Sequence, residues 1–298
     1  MQRFLFPHLF PHSRWAWLFV CLFAVGCHNP TAERANYNYT DDYGRTVQVP
    51  TQPTRIISTS PAVTEIIYAL GAGDLLVGRT DFCTYPPQAS AIESIGDMVN
   101  LNIEKILSLN PQLVISGSIV SAKATDHLTA MGIPIVCVLE KNSFDGLYQN
   151  ISAIGRLIGR EAQADSLNNR LKTTLSTIID TTASAPTIYY VVGYGAAGNF
   201  TAGGSSFIND ILRYAGARNI AEGIAGWSYS VESLLAADPD YIVIRKEDSA
   251  AFANTAPYSA LSAVLNGRLI GIESGSIDLQ VPRNLQAVRT IHQRISAN

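Results

Sequence analysis

Two glutamates, Glu104 and Glu232, occupy the same place in two similar segments that lie 128 residues apart. Each stands two positions after an N-cap type of residue, Asn102 or Ser230, and seven positions before a proline. Each segment reads as a polar cap, a short helix, a proline turn and a buried strand. An acidic residue in the first turn of a helix gains about 0.3–1 kcal/mol from the helix dipole, which explains one glutamate. The shared register predicts a duplicated chain whose two matched lobes work in the gap between them.

Aromatic side chains are the second kind of candidate, because flat rings bind large planar ligands by stacking. Phe82 and Tyr85 follow a short apolar run, where open α/β sheets place ligands. Phe200 precedes a glycine-rich turn, and Trp227 stands between small residues just before the second glutamate helix. Core packing is the alternative for any single ring, and for Phe200 both interpretations stay open. The full set of candidate rings is Phe82, Tyr85, Tyr194, Phe200, Trp227 and Tyr229.

Histidines are too few to predict a site for a free transition metal. Of the five, three lie within the first 28 residues, which leaves His127 and His292, both in predicted helices. Four-ligand capture of Zn or Mn is therefore not expected. A single axial ligand to haem iron, from Tyr85, Tyr194 or His127, stays open.

Motifs of enzymes are also missing from the sequence. It contains no G-x-S-x-G, no G-x-x-x-x-G-K-[ST], no H-E-x-x-H and no Cys/His pair in a motif context. The Gly-Ala-Gly at 71–73 follows a helical pattern, so it reads as a helix stop and not as a dinucleotide loop. We therefore expect a binding protein without catalysis.

The N-terminal segment is typical of an exported lipoprotein. Arg3 and Arg14 precede an apolar run that is too short to span a membrane and suits a secretory signal. The run ends in Ala-Val-Gly-Cys27, which resembles a bacterial lipoprotein cleavage site; ordinary signal cleavage, with Cys27 incidental, is the alternative. Removing 1–26 takes away two arginines and no acids, so the net charge falls from −3 to −5. Such a chain is a poor candidate for binding nucleic acid.

After the signal, residues 29–43 are polar and rich in Asn, Thr and Tyr, as a tether would be. Beyond Cys27 the remaining cysteines are Cys83 and Cys137. Export permits a disulfide between them, but Cys137 lies in an apolar run and could equally be core. The sequence leaves this question open.

Alternating strand and helix patterns predict an α/β fold with parallel sheets. The continuous apolar runs LVIS and IPIVCVL favour sheets that are covered on both faces. The predicted strands are 55–59, 75–78, 113–116, 133–139, 187–192, 241–244 and 268–272. The predicted helices are 61–70, 103–109, 121–131, 205–215, 231–237, 257–265 and 282–296.

Between the two halves, a helical pattern runs from Ser143 to about Thr182 with a break near Gly159. Its second part, 161–182, would be about 33 Å long and could connect two lobes; two ordinary helices of one domain are the alternative. The predicted boundaries are a signal peptide at 1–26, a lipid-anchor tether at 27–53, an N-terminal lobe at 54–142, linker helices at 143–185 and a C-terminal lobe at 186–298.

Several segments in order resemble a known family. They are SPAVTEIIYALGAGDLLVG (60–78), TDFCTYPPQA (80–89), NLNIEKILSLNPQLVI (100–115) and FTAGGSSFINDILRYAGARNI (200–220). They are similar to substrate-binding proteins of ABC importers for vitamin B12, haem and ferric siderophores, and closest in motifs to the B12-binding members. The resemblance covers roughly residues 54 to 296. It implies two Rossmann-like lobes joined by a single long helix, the class III periplasmic-binding-protein fold.

The resemblance also implies roles for individual residues. In cobalamin-binding members, a glutamate on each lobe contacts arginines of the permease, and Glu104 and Glu232 fall at those positions. Aromatic residues at places matching Phe82, Phe200 and Trp227 pack on the flat corrin. Arg283 matches an arginine at the cleft edge, where it could meet a ligand carboxylate or phosphate, or simply cap the final helix.

We therefore expect a monomeric, lipid-anchored binding protein on the outside of a bacterial membrane, with no intrinsic cofactor. It would bind a corrinoid in the cleft and deliver it to an ABC permease and its ATPase. Haem or a ferric siderophore is the alternative ligand. A surface adhesin would leave the cleft aromatics unexplained.

Overall fold

The computed structural model describes residues 35–117, 122–178 and 185–297. The predicted signal at 1–26, Cys27 and the first part of the tether lie outside the described residues. Among the helices of these ranges, none has both the length and the hydropathy that a membrane crossing requires.

Strands and helices alternate through most of the described chain. The strands are β1 Asn36–Thr40, β2 Thr46–Pro50, β3 Ile56–Ser58, β4 Leu76–Arg79, β5 Leu113–Ser116, β6 Ile135–Cys137, β7 Thr187–Val191, β8 Arg218–Asn219, β9 Tyr241–Arg245 and β10 Leu269–Ile272. The helices are α1 Pro61–Ala69, α2 Ile103–Ser108, α3 Ala122–Ala130, α4 Phe144–Leu157, α5 Glu161–Ile178, α6 Phe207–Tyr214, α7 Val231–Ala237, α8 Ser249–Ala253, α9 Ser262–Leu265 and α10 Asn284–Ser296.

The first lobe is built around a parallel sheet in the order β4-β3-β5-β6. Its central strands β3 and β5 are buried at every position, as expected for a sheet with helices on both faces. Ile115 packs in one core with Ile151 of α4. Val114 faces the other way and packs with Ile106 of α2 and Leu128 of α3.

The second lobe is built around a parallel sheet in the order β10-β9-β7-β8. Tyr189 and Tyr190 on β7 are both fully buried and belong to the cores on opposite faces of this sheet. In both sheets the carboxyl ends of the parallel strands meet at one edge, which is where ligands bind in open α/β sheets. The predicted α/β class, with two Rossmann-like lobes, is confirmed.

Helices α4 and α5 connect the two sheets and pack on each other. Gly159, with φ +66°, separates them, so the predicted break is confirmed. The Asn168 side chain donates to the Tyr148 carbonyl at 3.0 Å and to the Ser152 hydroxyl at 2.9 Å, which holds α5 against α4. The 18 residues of α5 span about 27 Å.

The second lobe also contacts the start of α4 and the end of the first lobe directly. The Phe144 ring, at the start of α4, lies 5.1 Å from that of Phe207 in α6. The backbone N–H of Phe144 donates to the Asp210 carboxylate at 3.1 Å. The Gln280 amide accepts from Lys141 N–H and donates to the Ser143 carbonyl, both at 2.9 Å.

Residues 36–50, part of the predicted tether, form an antiparallel β1–β2 hairpin. Asp41 holds this hairpin in shape by accepting from the N–H of Tyr43 and of Arg45, each at 3.0 Å. The Asp41 carboxylate also accepts from the Cys137 N–H at 3.3 Å, at the end of β6. No strand was predicted in this part of the chain, and the hairpin is bonded to the first lobe through Asp41. The tether boundary at 27–53 stays a prediction.

Two further differences concern short helices. The segment 257–265, predicted as one helix, is a 3-10 turn followed by α9, because Leu261 between them has an extended backbone and a buried side chain. Helix α8 was not predicted, since five residues are too few to show a helical period. The other predicted elements are confirmed to within a few residues.

Candidate functional site

The two glutamate segments have the same local structure. Asn102 and Ser230 cap α2 and α7, and their side chains accept from the N–H three residues later at 2.9 and 3.0 Å. Asn110 and Asp238, eight residues after each cap, both have positive φ, +46° and +36°. Each helix therefore begins and ends in the same way in both lobes.

Within these helices, one face is buried and the glutamate face is open. Ile106 and Leu234, at matching positions, are fully buried under their helices. Glu104 and Glu232 are exposed, and neither forms an ion pair in the described part of the chain. The two carboxylates thus occupy equivalent positions on their helices, and the described residues give neither of them an ion pair.

The loop after β4 presents two aromatic rings to solvent. The Phe82 side chain is 58% exposed and that of Tyr85 is 42% exposed. The loop around them is fixed by Arg79, whose guanidinium donates to the carbonyls of Thr80, Ser90 and Ile92 at 3.1–3.2 Å. The loop is therefore held in place while its rings face outward.

On the second lobe, Trp227 is the exposed ring, with 51% of its surface accessible. Its carbonyl accepts from the Thr201 N–H at 2.8 Å, which ties the tryptophan loop to the segment after β7. Phe200, in that segment, is half-buried against Gly193 and Gly198. A β-carbon on Gly198 would lie 2.9 Å from the Phe200 ring, so the close approach requires glycine there.

Tyr194 and Tyr229 are half-buried in the packing of the second lobe. The Tyr194 ring meets those of Phe252 and Tyr258 edge-on, at 5.1 and 5.7 Å between centroids. The Tyr229 ring lies 5.6 Å from that of Tyr189. The structure gives both rings a packing role, and a ligand contact by either stays a prediction.

Arg283 bridges the two lobes. Its Nε and Nη2 donate to the two carboxylate oxygens of Glu65 in α1, at 2.7 and 2.8 Å. Its guanidinium also lies over the Tyr85 ring, 4.1 Å from the centroid. Arg283 is the N-cap residue of α10 but makes no side-chain cap bond. Of the two sequence-based alternatives, the structure shows no side-chain helix cap by Arg283. A contact with a ligand acid stays a prediction, and the partner that the structure gives the guanidinium is Glu65.

Glu65 is the residue at this site that sequence reasoning missed. Its side chain is only 4% exposed. Burial raises the pKa of Glu65, and the hydrogen bonds and charge of Arg283 oppose that rise. The sequence signal that could have revealed Glu65 is its single charge within the apolar pattern of α1, because a buried charge needs a partner. Both residues line a cavity of about 570 Å³ together with Tyr68, Tyr85 and Pro86.

The remaining candidates are His127 and the two cysteines. His127 lines the same groove as Glu104, so it is on the glutamate side of the first lobe. Cys83 and Cys137 are separate, buried thiols. Burial raises the pKa of Cys137 to about 11. No group of three or more His, Cys, Asp or Glu that could hold a metal occurs in the three described ranges.

Comparison with known proteins identifies the family. The sequence profile of the periplasmic binding protein family matches residues 56–274. The uncharacterized ABC transporter substrate-binding lipoprotein YvrC of Bacillus subtilis is 30% identical over 302 residues, covering 94% of this chain and 95% of YvrC. A cobalamin-binding protein of Halobacterium salinarum is 28% identical over 254 residues, covering 80% of this chain and 68% of that protein.

A solved structure shows the same architecture. The periplasmic heme-binding protein RhuT of Roseiflexus sp. RS-1 superposes with a TM-score of 0.69 and 26% identity, over 82% of this chain and 99% of RhuT. Such relatives are binding proteins and not enzymes. The chain therefore belongs to the periplasmic binding protein family and is a substrate-binding protein of an ABC importer of the vitamin B12, haem and siderophore type.

Proposed function

We propose that this protein binds a corrinoid between its lobes and delivers it to the permease of its importer. The observation that carries the proposal is the pair of rings Phe82 and Trp227, one on each lobe. Each ring is more than half exposed. Phe82 lies in the loop at the carboxyl end of β4, and Trp227 lies in the loop between β8 and α7. A broad, flat ligand would cover both rings, because aromatic side chains bury a large area with little loss of rotamer freedom.

The relatives support this ligand class. The Halobacterium protein is a cobalamin-binding protein, and vitamin B12-binding proteins of Photorhabdus and Yersinia also match at 27–28% identity. Phe200 lies next to the Trp227 loop through the hydrogen bond between Thr201 and Trp227. We assign Phe82, Phe200 and Trp227 as the corrin-facing residues on this basis.

Haem or a ferric siderophore is the second candidate. Tyr85 favours it, because a tyrosine oxygen can ligate haem iron and the ring is 42% exposed beside Phe82. RhuT, with a similar fold and 26% identity, is a heme-binding protein. Arg283 limits this role, since its guanidinium already covers one face of the Tyr85 ring.

Calorimetric titration separates the ligands. The protein without its first 27 residues is titrated with cyanocobalamin, haemin and a ferric hydroxamate. We expect cyanocobalamin to bind at least about tenfold more tightly than the other two, a difference of about 1.4 kcal/mol. Tighter binding of haemin or the hydroxamate would replace the corrinoid with that ligand, and binding of none of the three would refute this ligand class.

For delivery, we assign Glu104 and Glu232 as contacts to basic residues of the permease. Both are exposed, equivalent and without an ion pair in the described chain. The double variant E104K/E232K should abolish uptake in cells and leave ligand affinity unchanged. A fall in ligand affinity would mean that the two glutamates belong to the ligand site instead.

We further propose that the protein is a monomer anchored by a lipid on Cys27, with its lobes spanning 54–142 and 186–298. The apolar run before Cys27 and the likeness to the lipoprotein YvrC support the anchor. Incorporation of labelled fatty acid into the wild type and not into Cys27→Ser would test it. Equal labelling of both would refute it.

A further inference from the structure

Each docking glutamate is accompanied by an exposed leucine three residues later. Leu107 is 36% exposed in α2, and Leu235 is 37% exposed in α7. Residues three apart on a helix lie on one face, so each leucine adjoins its glutamate. We define the Glu104–Leu107 pair and the Glu232–Leu235 pair as the two docking pairs.

A single exposed leucine needs no explanation, because much of any protein surface is apolar. Two exposed leucines at matching positions of α2 and α7 do need an explanation. Other exposed or half-exposed positions of the two helices have diverged: Lys105 corresponds to Ser233, and Ser108 to Ala236. The glutamate and the leucine are the surface positions in the helices that remain the same in both lobes.

The fold does not account for these leucines. The buried positions Ile106 and Leu234 already attach each helix to its lobe, with no exposed surface left. Caps and helix ends are supplied by residues at either end of each segment. Leu107 and Leu235 therefore leave apolar surface open, each beside a carboxylate that has no ion pair within the part of the chain that the structure describes.

On the first lobe this surface is concave. Leu107 and Glu104 border a groove of about 760 Å³, and Val99 beside them is 78% exposed. Other apolar residues of the same groove are Leu101 and Ile103. Lys123 and His127 also line this groove, so it is not purely acidic. Its aliphatic side chains beside the Glu104 carboxylate fit a partner surface that places an apolar side chain next to a polar or basic one.

We infer that Leu107 and Leu235 are the apolar anchors by which the two docking pairs bind the permease, and that the permease presents two equivalent surfaces, each with a basic residue beside an apolar one. This inference rests on the proposed docking of Glu104 and Glu232. The glutamates steer association and fix orientation, while the two leucines, which the partner would cover, carry most of the affinity. The duplication on one chain matches a partner made of two like subunits.

Binding kinetics on the intact importer test this division of roles. The permease–ATPase complex is held in nanodiscs, and the full-length lipoprotein or its variants bind at about 50 mM and about 500 mM NaCl. The variants are L107A/L235A, E104Q/E232Q and, as a matched control, L265A, since Leu265 is an even more exposed leucine outside the docking pairs, at 72%. Empty nanodiscs, which contain no importer, serve as the control for binding to lipid. The affinity for cyanocobalamin and the thermal unfolding of each variant show whether it is folded.

We expect L107A/L235A to weaken binding by about tenfold per leucine, mainly through faster dissociation and equally at both salt concentrations. E104Q/E232Q should mainly slow association, with a smaller effect at high salt. L265A should bind within about twofold of the wild type. Each single leucine variant should lose a similar share, because the two pairs are equivalent.

The possible failures are distinguishable. If E104Q/E232Q weakens binding and L107A/L235A does not, the leucine anchors are refuted while docking stands. If neither variant changes binding, the proposed docking surface itself is wrong. If the leucine variant loses binding equally to nanodiscs without importer, the leucines contact lipid and the inference is overturned.

Discussion

Arg283 of the second lobe and Glu65 of the first form a two-point ion pair with N–O distances of 2.7 and 2.8 Å. The pair is largely shielded from water, with 15% and 4% of the side chains exposed. Tyr85 lies against the same guanidinium. The loop that carries the candidate ligand rings of the first lobe is thereby in contact with the second lobe, so the relative position of the lobes and the shape of this loop depend on each other.

Breaking this ion pair should destabilise the protein strongly. Glu65→Leu leaves the guanidinium of Arg283 buried and unpaired, and we expect the free energy of unfolding to fall by about 3 kcal/mol. The double variant E65L/R283M should regain most of the lost free energy of unfolding, because it no longer buries an unpaired charge. Urea denaturation measures both.

The exposed pair between Lys246 and Glu273 is the matched control. Both of its side chains are more than 70% exposed, at 71% and 72%, so Glu273→Leu should change stability by less than about 1 kcal/mol. For the buried pair, an E65L/R283M variant as unstable as Glu65→Leu alone would show that the loss of stability comes from packing and not from the unpaired charge.

The hairpin at the start of the described chain should show a pH-dependent contribution from Asp41. Burial raises the pKa of Asp41, but hydrogen bonds from Arg45 and the Cys137 N–H outweigh it and leave the pKa below its ordinary value. A carboxyl whose pKa is lowered on folding stabilises the protein above its ordinary pKa, about 4, and loses this effect as the pH falls through the folded pKa.

Asp41→Asn should therefore lower the free energy of unfolding by about 2 kcal/mol at neutral pH. The difference from the wild type should shrink as the pH falls to about 2. Urea denaturation across this pH range measures it. A difference that is constant with pH would mean that the charge of Asp41 contributes nothing.

The helix ends of the two glutamate segments should respond in opposite ways to glycine. Asn110→Gly removes the backbone strain of a non-glycine residue at φ +46° and should stabilise the protein by about 0.5–1 kcal/mol. Asp238→Gly relieves φ +36° but also removes acceptors for the N–H and hydroxyl of Ser262, at 2.9 and 2.5 Å. Thermal unfolding should show a gain for the first and a loss for the second. The same sign for both would contradict this account.

Much of this architecture was predictable from local sequence. The duplicated caps, buried positions and prolines around Glu104 and Glu232 gave helices and strands within a few residues of the observed ones. The break at Gly159 was also predictable, because glycine readily takes the positive φ found there.

The errors concern contacts between residues far apart in sequence. Glu65 and Arg283 are separated by 218 positions, so no local pattern could pair them. The β1–β2 hairpin was missed because its polar residues resemble a linker, while its order depends on Asp41 reaching Cys137. The packing of Tyr194 and Tyr229 was not predictable either, because the rings that half-bury them come from β7, α8 and the turn at Tyr258–Ala260.

The central claim is that the ligand lies between rings of both lobes, and the affinities of ring variants test it most directly. Phe82→Ala and Trp227→Ala are titrated with cyanocobalamin in a calorimeter, with Tyr43→Ala as control, since Tyr43 is 48% exposed on the hairpin. We predict a loss of at least about tenfold for each of the first two variants and no change for the control. Unchanged affinity in either ring variant would contradict a ligand held between the two lobes.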